Sequence, residues 1–219
     1  MASQFGVALN NTTSNQFRRL AKRANAVFTV AAGNNCSPAG GSPFTPADNL
    51  DNVISVAAVN STGNLSAFSN WDAELAAGGG AGAPGIGHDH GVWSTWPGGG
   101  YALERGTSMA APLVAGTAAL VRSAHPNMSA AEVGRCLVST GGTNTAVVTT
   151  RDNGLPTGFS PKIAYTGSIP IVDAEAAVHC GGGGPVGEVP GEVRRISVSS
   201  DGTEANGMSW FLNWSPDST

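Results

Sequence analysis

Charge is scarce in this 219-residue sequence. Lys, Arg, Asp and Glu together make up 12% of it, about half the share of roughly 25% usual for globular domains. That scarcity argues against a highly charged disordered chain. A net charge of −4 gives no reason to expect nucleic acid or an anionic membrane surface as a partner. Long apolar runs are missing as well: no window approaches the roughly 18 uninterrupted apolar residues of a membrane-spanning helix. Met1-Ala2-Ser3-Gln4-Phe5-Gly6 lacks a basic stretch followed by an apolar one, so no secretory leader is read there. Cysteine is confined to Cys36, Cys136 and Cys180, with no Cys-x-x-Cys pair, which removes thiol support for a zinc or redox centre. Two arrangements stay open: Cys136 pairs with Cys180 and leaves Cys36 over, or all three remain thiols.

What is abundant is small. Gly accounts for 31 of 219 residues, about twice its usual share of roughly 7%, and the apolar residues lean towards Ala and Val. This suits one tightly packed α/β core joined by glycine-rich loops. Met1 to Leu9 reads as a short strand. Ser14 or Asn15 then caps an amphipathic helix with Phe17, Leu20, Ala21 and Ala24 on one face and Arg18, Arg19, Lys22 and Arg23 in solvent. The apolar run Ala26–Ala32 is a buried strand that stops at Gly33-Asn34-Asn35. Strand, helix and strand in succession predict a βαβ unit, and ligands of parallel sheets gather at the carboxyl ends of the strands, where Asn34 sits. Asn52–Val59 is a further buried strand, closed by a turn at Ser61–Asn64, and residues 78–87 form a Gly/Ala-rich loop. His125-Pro126-Asn127 breaks the chain before a helix capped by Ser129 and running to about Leu137. Residues 140–162 read as loop, and Ile171–Val178 as a final short helix. Residues 1–180 thus form one domain, 181–192 a Gly/Pro-rich linker, and 193–219 either the start of a β-rich appendage or a loose tail.

Gly106-Thr107-Ser108-Met109-Ala110-Ala111-Pro112 delivers a serine onto the start of the apolar segment Met109–Val121. With almost no polar face, that segment predicts a buried helix. Ser108 at its N-terminus is open to two accounts. It caps a core helix, or it is a nucleophile placed where backbone N–H groups and the helix dipole stabilise an oxyanion.

The run from Gly106 to Pro112 resembles the nucleophile signature of the subtilisin family of serine peptidases. Ala31-Ala32-Gly33-Asn34, Leu65–Asn70, Ala83-Pro84-Gly85, Val92–Tyr101 and Ile171–Val178 resemble further family segments in the same order, from Met1 to His179. The resemblance implies an α/β fold, a parallel sheet with helices on both faces, and serine-type endopeptidase chemistry on a polypeptide substrate. Ser108 would be the nucleophile and Asn34 an oxyanion donor. Ser3, Gln4, Phe5 and Gly6 would line the specificity pocket, with Ala31, Ala32 and Gly33 as the opposite wall of a wide apolar site and Thr107 beside the substrate. The chemistry would need no cofactor, a structural calcium is compatible with the family, and the location would be extracellular.

The departures carry equal weight. A serine needs a base, usually His oriented by Asp. The family places these in an Asp-[Thr/Ser]-Gly turn and a His-Gly-Thr-His helix start ahead of the oxyanion asparagine, and neither occurs in this sequence. The expectation is therefore an N-terminally truncated, C-terminal portion of a catalytic domain, needing a partner segment, covalent or in trans, for its His and Asp. His88-Asp89-His90 reads as a polar loop tip; as a metal pair it lacks a third ligand. His125 and His179 read as structural, and Leu113 stands where the family commonly has another, non-catalytic His. Three functions follow for testing: an endopeptidase completed by the missing segment, a peptide-binding remnant without chemistry, or a hydrolase that uses His88 or His90.

Overall fold

The computed structural model describes residues 11–36, 50–81, 91–141, 145–148 and 167–180. Their order is α1 (Asn11–Arg23), β1 (Phe28–Ala31), β2 (Val53–Val59), β3 (Leu75–Gly78), β4 (Val92–Trp96), β5 (Gly100–Glu104), α2 (Thr107–Ala124), α3 (Ala130–Thr140), β6 (Thr145–Val148), β7 (Gly167–Pro170) and α4 (Ala174–Val178). No described helix is long and apolar enough to cross a membrane. The strand expected at Met1–Leu9, the loop tip at His88–His90, the linker and the tail all lie outside the described residues.

β1, β2 and β3 form a parallel sheet in that order, with Val53 beside Phe28 and Val59 beside Gly78. All seven residues of β2 are buried, as a central strand covered on both faces requires. Ile54, Val56 and Ala58 point into a core shared with Val114, Val121, Val133, Leu137 and Ala177, so α2, α3 and α4 cover that face. Ala57 and Val59 point the other way, towards Leu65, Trp71 and Ile169. Phe28 shares this second face through its register with Val53, and its ring meets that of Phe17 edge-on at 5.3 Å. α1 therefore lies opposite α2, and the sheet carries helices on both faces. Buried Ser55 is satisfied by the Glu74 carboxylate, which accepts from its N–H at 2.7 Å and from its hydroxyl. Asn52 ties α1 down by donating to the Ala21 and Ala26 carbonyls at 2.9 and 3.0 Å.

Several expectations need correction. β1 is half-buried throughout rather than buried, because among the described residues it is an edge strand with a neighbour only on the β2 side. α1 starts at Asn11, so Ser14 and Asn15 lie within the helix, and Leu20 is 60% exposed instead of sharing the inner face. α2 buries a stripe through Ala110, Val114, Thr117 and Val121 but leaves Pro112, Ala115 and Ala119 exposed. The loop expected over 140–162 contains β6, which pairs antiparallel with β7. A four-residue strand is specified by its partner more than by its own sequence, and here the partner is distant. Between α3 and the second residue past α4, Cys136 and Cys180 form a disulfide across 44 residues, worth about 4 kcal/mol as a loop closure. Cys36 is a buried thiol outside that bridge.

Candidate active site

The site forms where the carboxyl ends of the parallel strands meet the start of α2. Beyond β1, Ala32 still donates to the Val56 carbonyl at 3.0 Å, and the chain then turns at Gly33 with φ +106. A side chain at Gly33 would bring its Cβ within 2.5 Å of Asn70 Nδ2, so only glycine fits. Asn70 is buried and clamps this turn. Its Nδ2 donates to the Ala32 carbonyl at 2.8 Å, its Oδ1 accepts from Asn35 N–H at 3.0 Å, and its own N–H donates to the Gly33 carbonyl at 2.9 Å. Asn34 is thus held out at the surface on a fixed loop.

The second half of the site hangs from β3. Gly79 donates to the Val59 carbonyl and accepts from Gly106 N–H, both at 2.9 Å. A Cβ on Gly79 would meet the Ala58 Cβ at 2.4 Å and the Gly106 carbonyl oxygen at 2.8 Å, so this close seating depends on glycine.

Asn34 and Thr107 join the halves. Asn34 Oδ1 accepts from Thr107 N–H at 2.9 Å and from the Thr107 hydroxyl at 3.1 Å, while Thr107 Oγ1 accepts from Gly33 N–H at 3.1 Å. With Oδ1 taken up by these bonds, the group Asn34 has left to offer is its Nδ2–H donor. The position a Gly106 Cβ would occupy lies 3.4 Å from Asn34 Nδ2 and 3.6 Å from both Asn34 Oδ1 and Ser108 N. With Oδ1 turned to Thr107, two nitrogen donors lie beside the space that glycine leaves open.

Ser108 is the second residue of α2, not its cap; the cap is Gly106, which has φ +149 and no side chain to offer. The Ser108 N–H belongs to the first turn, whose amides have no acceptor within the helix. Four residues on, Pro112 has no N–H to return to the Ser108 carbonyl. Ser108 itself is partly exposed. A helix N-terminus, an amide with no acceptor among the described residues and a fixed side-chain amide together suit negative charge on an oxygen held there.

The structure brings Asn34, Gly33, Thr107 and Ser108 together. Ala31 and Gly33 are half-buried, but Ala32 is fully buried and cannot line an open pocket. Thr107, expected beside the substrate, is fully buried and turned towards Asn34, so it acts on a ligand only through that residue. Ser3, Gln4, Phe5 and Gly6 lie outside the described residues. His125 Nε2 bonds the Val178 carbonyl at 2.8 Å from beyond the far end of α2, about 25 Å from Ser108 at the helical rise. His179 Nδ1 bonds the Glu175 carbonyl at 2.7 Å. No group of three His, Cys, Asp or Glu among the described residues could hold a metal. Sequence reasoning missed Asn70, whose signal was only a polar residue ending the Leu65–Asn70 segment, and Gly79, one glycine among several.

The sequence profile of the Subtilase family matches residues 4–161. Subtilisin DY of Bacillus licheniformis is 41% identical over 114 residues, 52% of this chain and 39% of that protein. Alkaline serine exoprotease A of Vibrio alginolyticus is 33% identical over 166 residues, 76% of this chain and 27% of that one. Among solved structures, a protease from Pseudoalteromonas arctica PAMC 21717 superimposes with a TM-score of 0.54 at 32% identity, covering 77% of this chain and 46% of that one. The matches therefore span less than half the length of these relatives. With the profile matched over most of its length, the chain belongs to the subtilase family of serine peptidases.

Proposed function

We propose that this chain carries the nucleophile and oxyanion hole of a secreted serine endopeptidase. Ser108 Oγ attacks the carbonyl carbon of a peptide bond. The carbonyl oxygen, gaining negative charge, is held by Asn34 Nδ2–H and Ser108 N–H, and the α2 dipole adds to both. The observation that carries this reading is the closeness of Asn34 Nδ2 and Ser108 N to one open position at Gly106, while Asn34 Oδ1 is held by Thr107. Thr107 and Asn70 position Asn34 from behind. Ala31 and Gly33 flank the residue before the scissile bond, with Ser3–Gly6 assigned to the facing wall. The Cys136–Cys180 disulfide supports an oxidising, extracellular setting.

The proton of Ser108 needs an acceptor. His125 and His179 are engaged with backbone carbonyls elsewhere, His88 and His90 read as a polar loop tip, and the family's Asp and His motifs do not occur in this sequence, so we assign the base and its orienting carboxylate to a segment outside it. More than half the length of Subtilisin DY lies outside the match, which leaves room for such a segment. Serine proteases lacking a triad member retain about 10³–10⁴-fold over water, and no more than that is expected of the 219 residues alone. The test is peptide hydrolysis by the chain joined to, or mixed with, a family N-terminal segment bearing His and Asp, with and without Ser108→Ala. Activity that appears on completion and disappears in Ser108→Ala supports the proposal. Hydrolysis that survives Ser108→Ala ends it. Tight peptide binding with no turnover in the completed protein identifies a binding remnant instead.

A further inference from the structure

Four large apolar side chains are exposed among the described residues, and three of them, Trp93, Trp96 and Tyr101, stand on one ribbon. β4 and β5 make a two-stranded antiparallel sheet joined through Pro97, Gly98 and Gly99, the two glycines having φ +89 and +83. Register sorts its faces. Val92, Ser94, Ala102 and Glu104 are all half-buried and face the body of the molecule. Trp93, Thr95, Tyr101 and Leu103 share the other face, where Trp93 is 53% and Tyr101 71% exposed. No residue of that outer face is charged. Exposing two aromatic rings to water costs free energy that burial against an apolar partner would recover.

We infer that this outer face holds the polypeptide substrate beyond the scissile bond, in extended form, and selects apolar side chains there. The inference rests on the reading of Ser108 as nucleophile. Asn34 follows β1 at one edge of the described sheet, whereas the base of the ribbon, Arg105 and Gly106, is bonded to Ala81 and Gly79 just past β3 and leads directly into Ser108. Arg105 anchors its base by donating to the Ala81 carbonyl at 2.9 Å. A chain whose acyl part sits beside Ala31 and Gly33 must leave Ser108 on the other flank, where the ribbon stands. Tyr101 is seven residues from Ser108, at most about 24 Å of extended backbone. The same number of extended substrate residues covers that distance.

The test uses the full chain carrying Ser108→Ala, so that no probe is cut, and two dye-labelled decapeptides. They share their first four residues and differ in the last six, Phe and Leu alternating with Thr in one, Ser and Gly in the other. The apolar extension should bind about tenfold tighter. In the Trp93→Ala/Tyr101→Ala variant the preference should fall to within about twofold. Because both side chains are exposed, the variant should unfold at the parent temperature, and each single change gives a second reading if it does not. Equal binding of the two peptides, a preference retained in the variant, or binding of neither overturns the inference. So does a concentration-dependent dimer that the double change abolishes, since the face would then serve a second copy. Labelling of Ser108 by a fluorophosphonate in the unaltered, completed protein separates the two readings. Preference without labelling keeps the docking face and removes the nucleophile; labelling without preference does the reverse.

Discussion

α2 and α3 begin in opposite ways. The start of α3 is written in four consecutive residues: Ser129 Oγ accepts from Glu132 N–H at 3.3 Å, and the Glu132 carboxylate accepts from Ser129 N–H at 2.7 Å. This capping box closes on itself and leaves little for a ligand. α2 opens on Gly106, which offers no side chain, and its first amide is met by Asn34 from 73 residues away. Ser108 N–H is left for something else. α3 satisfies its own end, whereas α2 keeps its end open and borrows support from a distance.

Breaking the borrowed support should have the largest effect. Removing one oxyanion donor costs about 10²–10³ in kcat in a subtilisin, the type case. Asn34→Ala in the completed enzyme should lose activity in that range with little change in KM, measured on a peptide substrate. A fall of less than about tenfold would remove Asn34 from the oxyanion hole. Next comes Gly134→Ala, which sharpens the comparison, because α3 is self-capped but not self-sufficient. A Cβ at Gly134 would sit 1.7 Å from the Asp51 carbonyl oxygen. Overpacking of that kind should cost about 3 kcal/mol, read as a lowered denaturation midpoint.

Thr107→Val keeps the shape and removes the hydroxyl that serves Asn34 and Gly33. It should cost about 2 kcal/mol and lower kcat in the completed enzyme as Asn34 loosens. An unchanged kcat would show that the turn is held by Asn70 alone. Ser129→Ala should be mildest, about 1 kcal/mol for a lost cap, without effect on catalysis. The Ser129 hydroxyl, followed by its N–H, holds the exposed Glu132 carboxyl below the ordinary carboxylate range. A lowered folded value means that the box is fully made at neutral pH and is lost as pH falls through that value. An NMR titration should find Glu132 moved back towards its ordinary value in Ser129→Ala.

Legibility followed the range of the interactions. β2 could be read from an apolar run interrupted only by Ser55, and α3 from Ser129, because burial on both faces and a capping box each leave a contiguous trace. β3 and β6, four residues each, leave almost none, since their partners decide their conformation. The aromatic ribbon had a local signal, Pro97-Gly98-Gly99 between strand-forming residues, but exposure of Trp93 and Tyr101 depends on what the ribbon packs against. Placing Ser108 as a cap failed because the helix begins at Thr107, two residues earlier than such a cap requires, and Asn34 meets its first amide. Thr107 and Ala32 looked like surface from their motifs and are buried by the turn that Asn70 closes.

By itself the sequence determined the family and the order of the strands and helices around Ser108, and it nominated Ser108 and Asn34 for the proposed site, because these lie in short runs with a characteristic spacing. Tertiary structure decided that Cys136 meets Cys180, that Asn34 turns its oxygen to Thr107 and keeps its Nδ2 as the donor, and that Gly79 brings β3 against Gly106. Each of these joins residues at least 27 apart in the chain. No local propensity encodes such contacts; packing the helices onto a parallel sheet creates them.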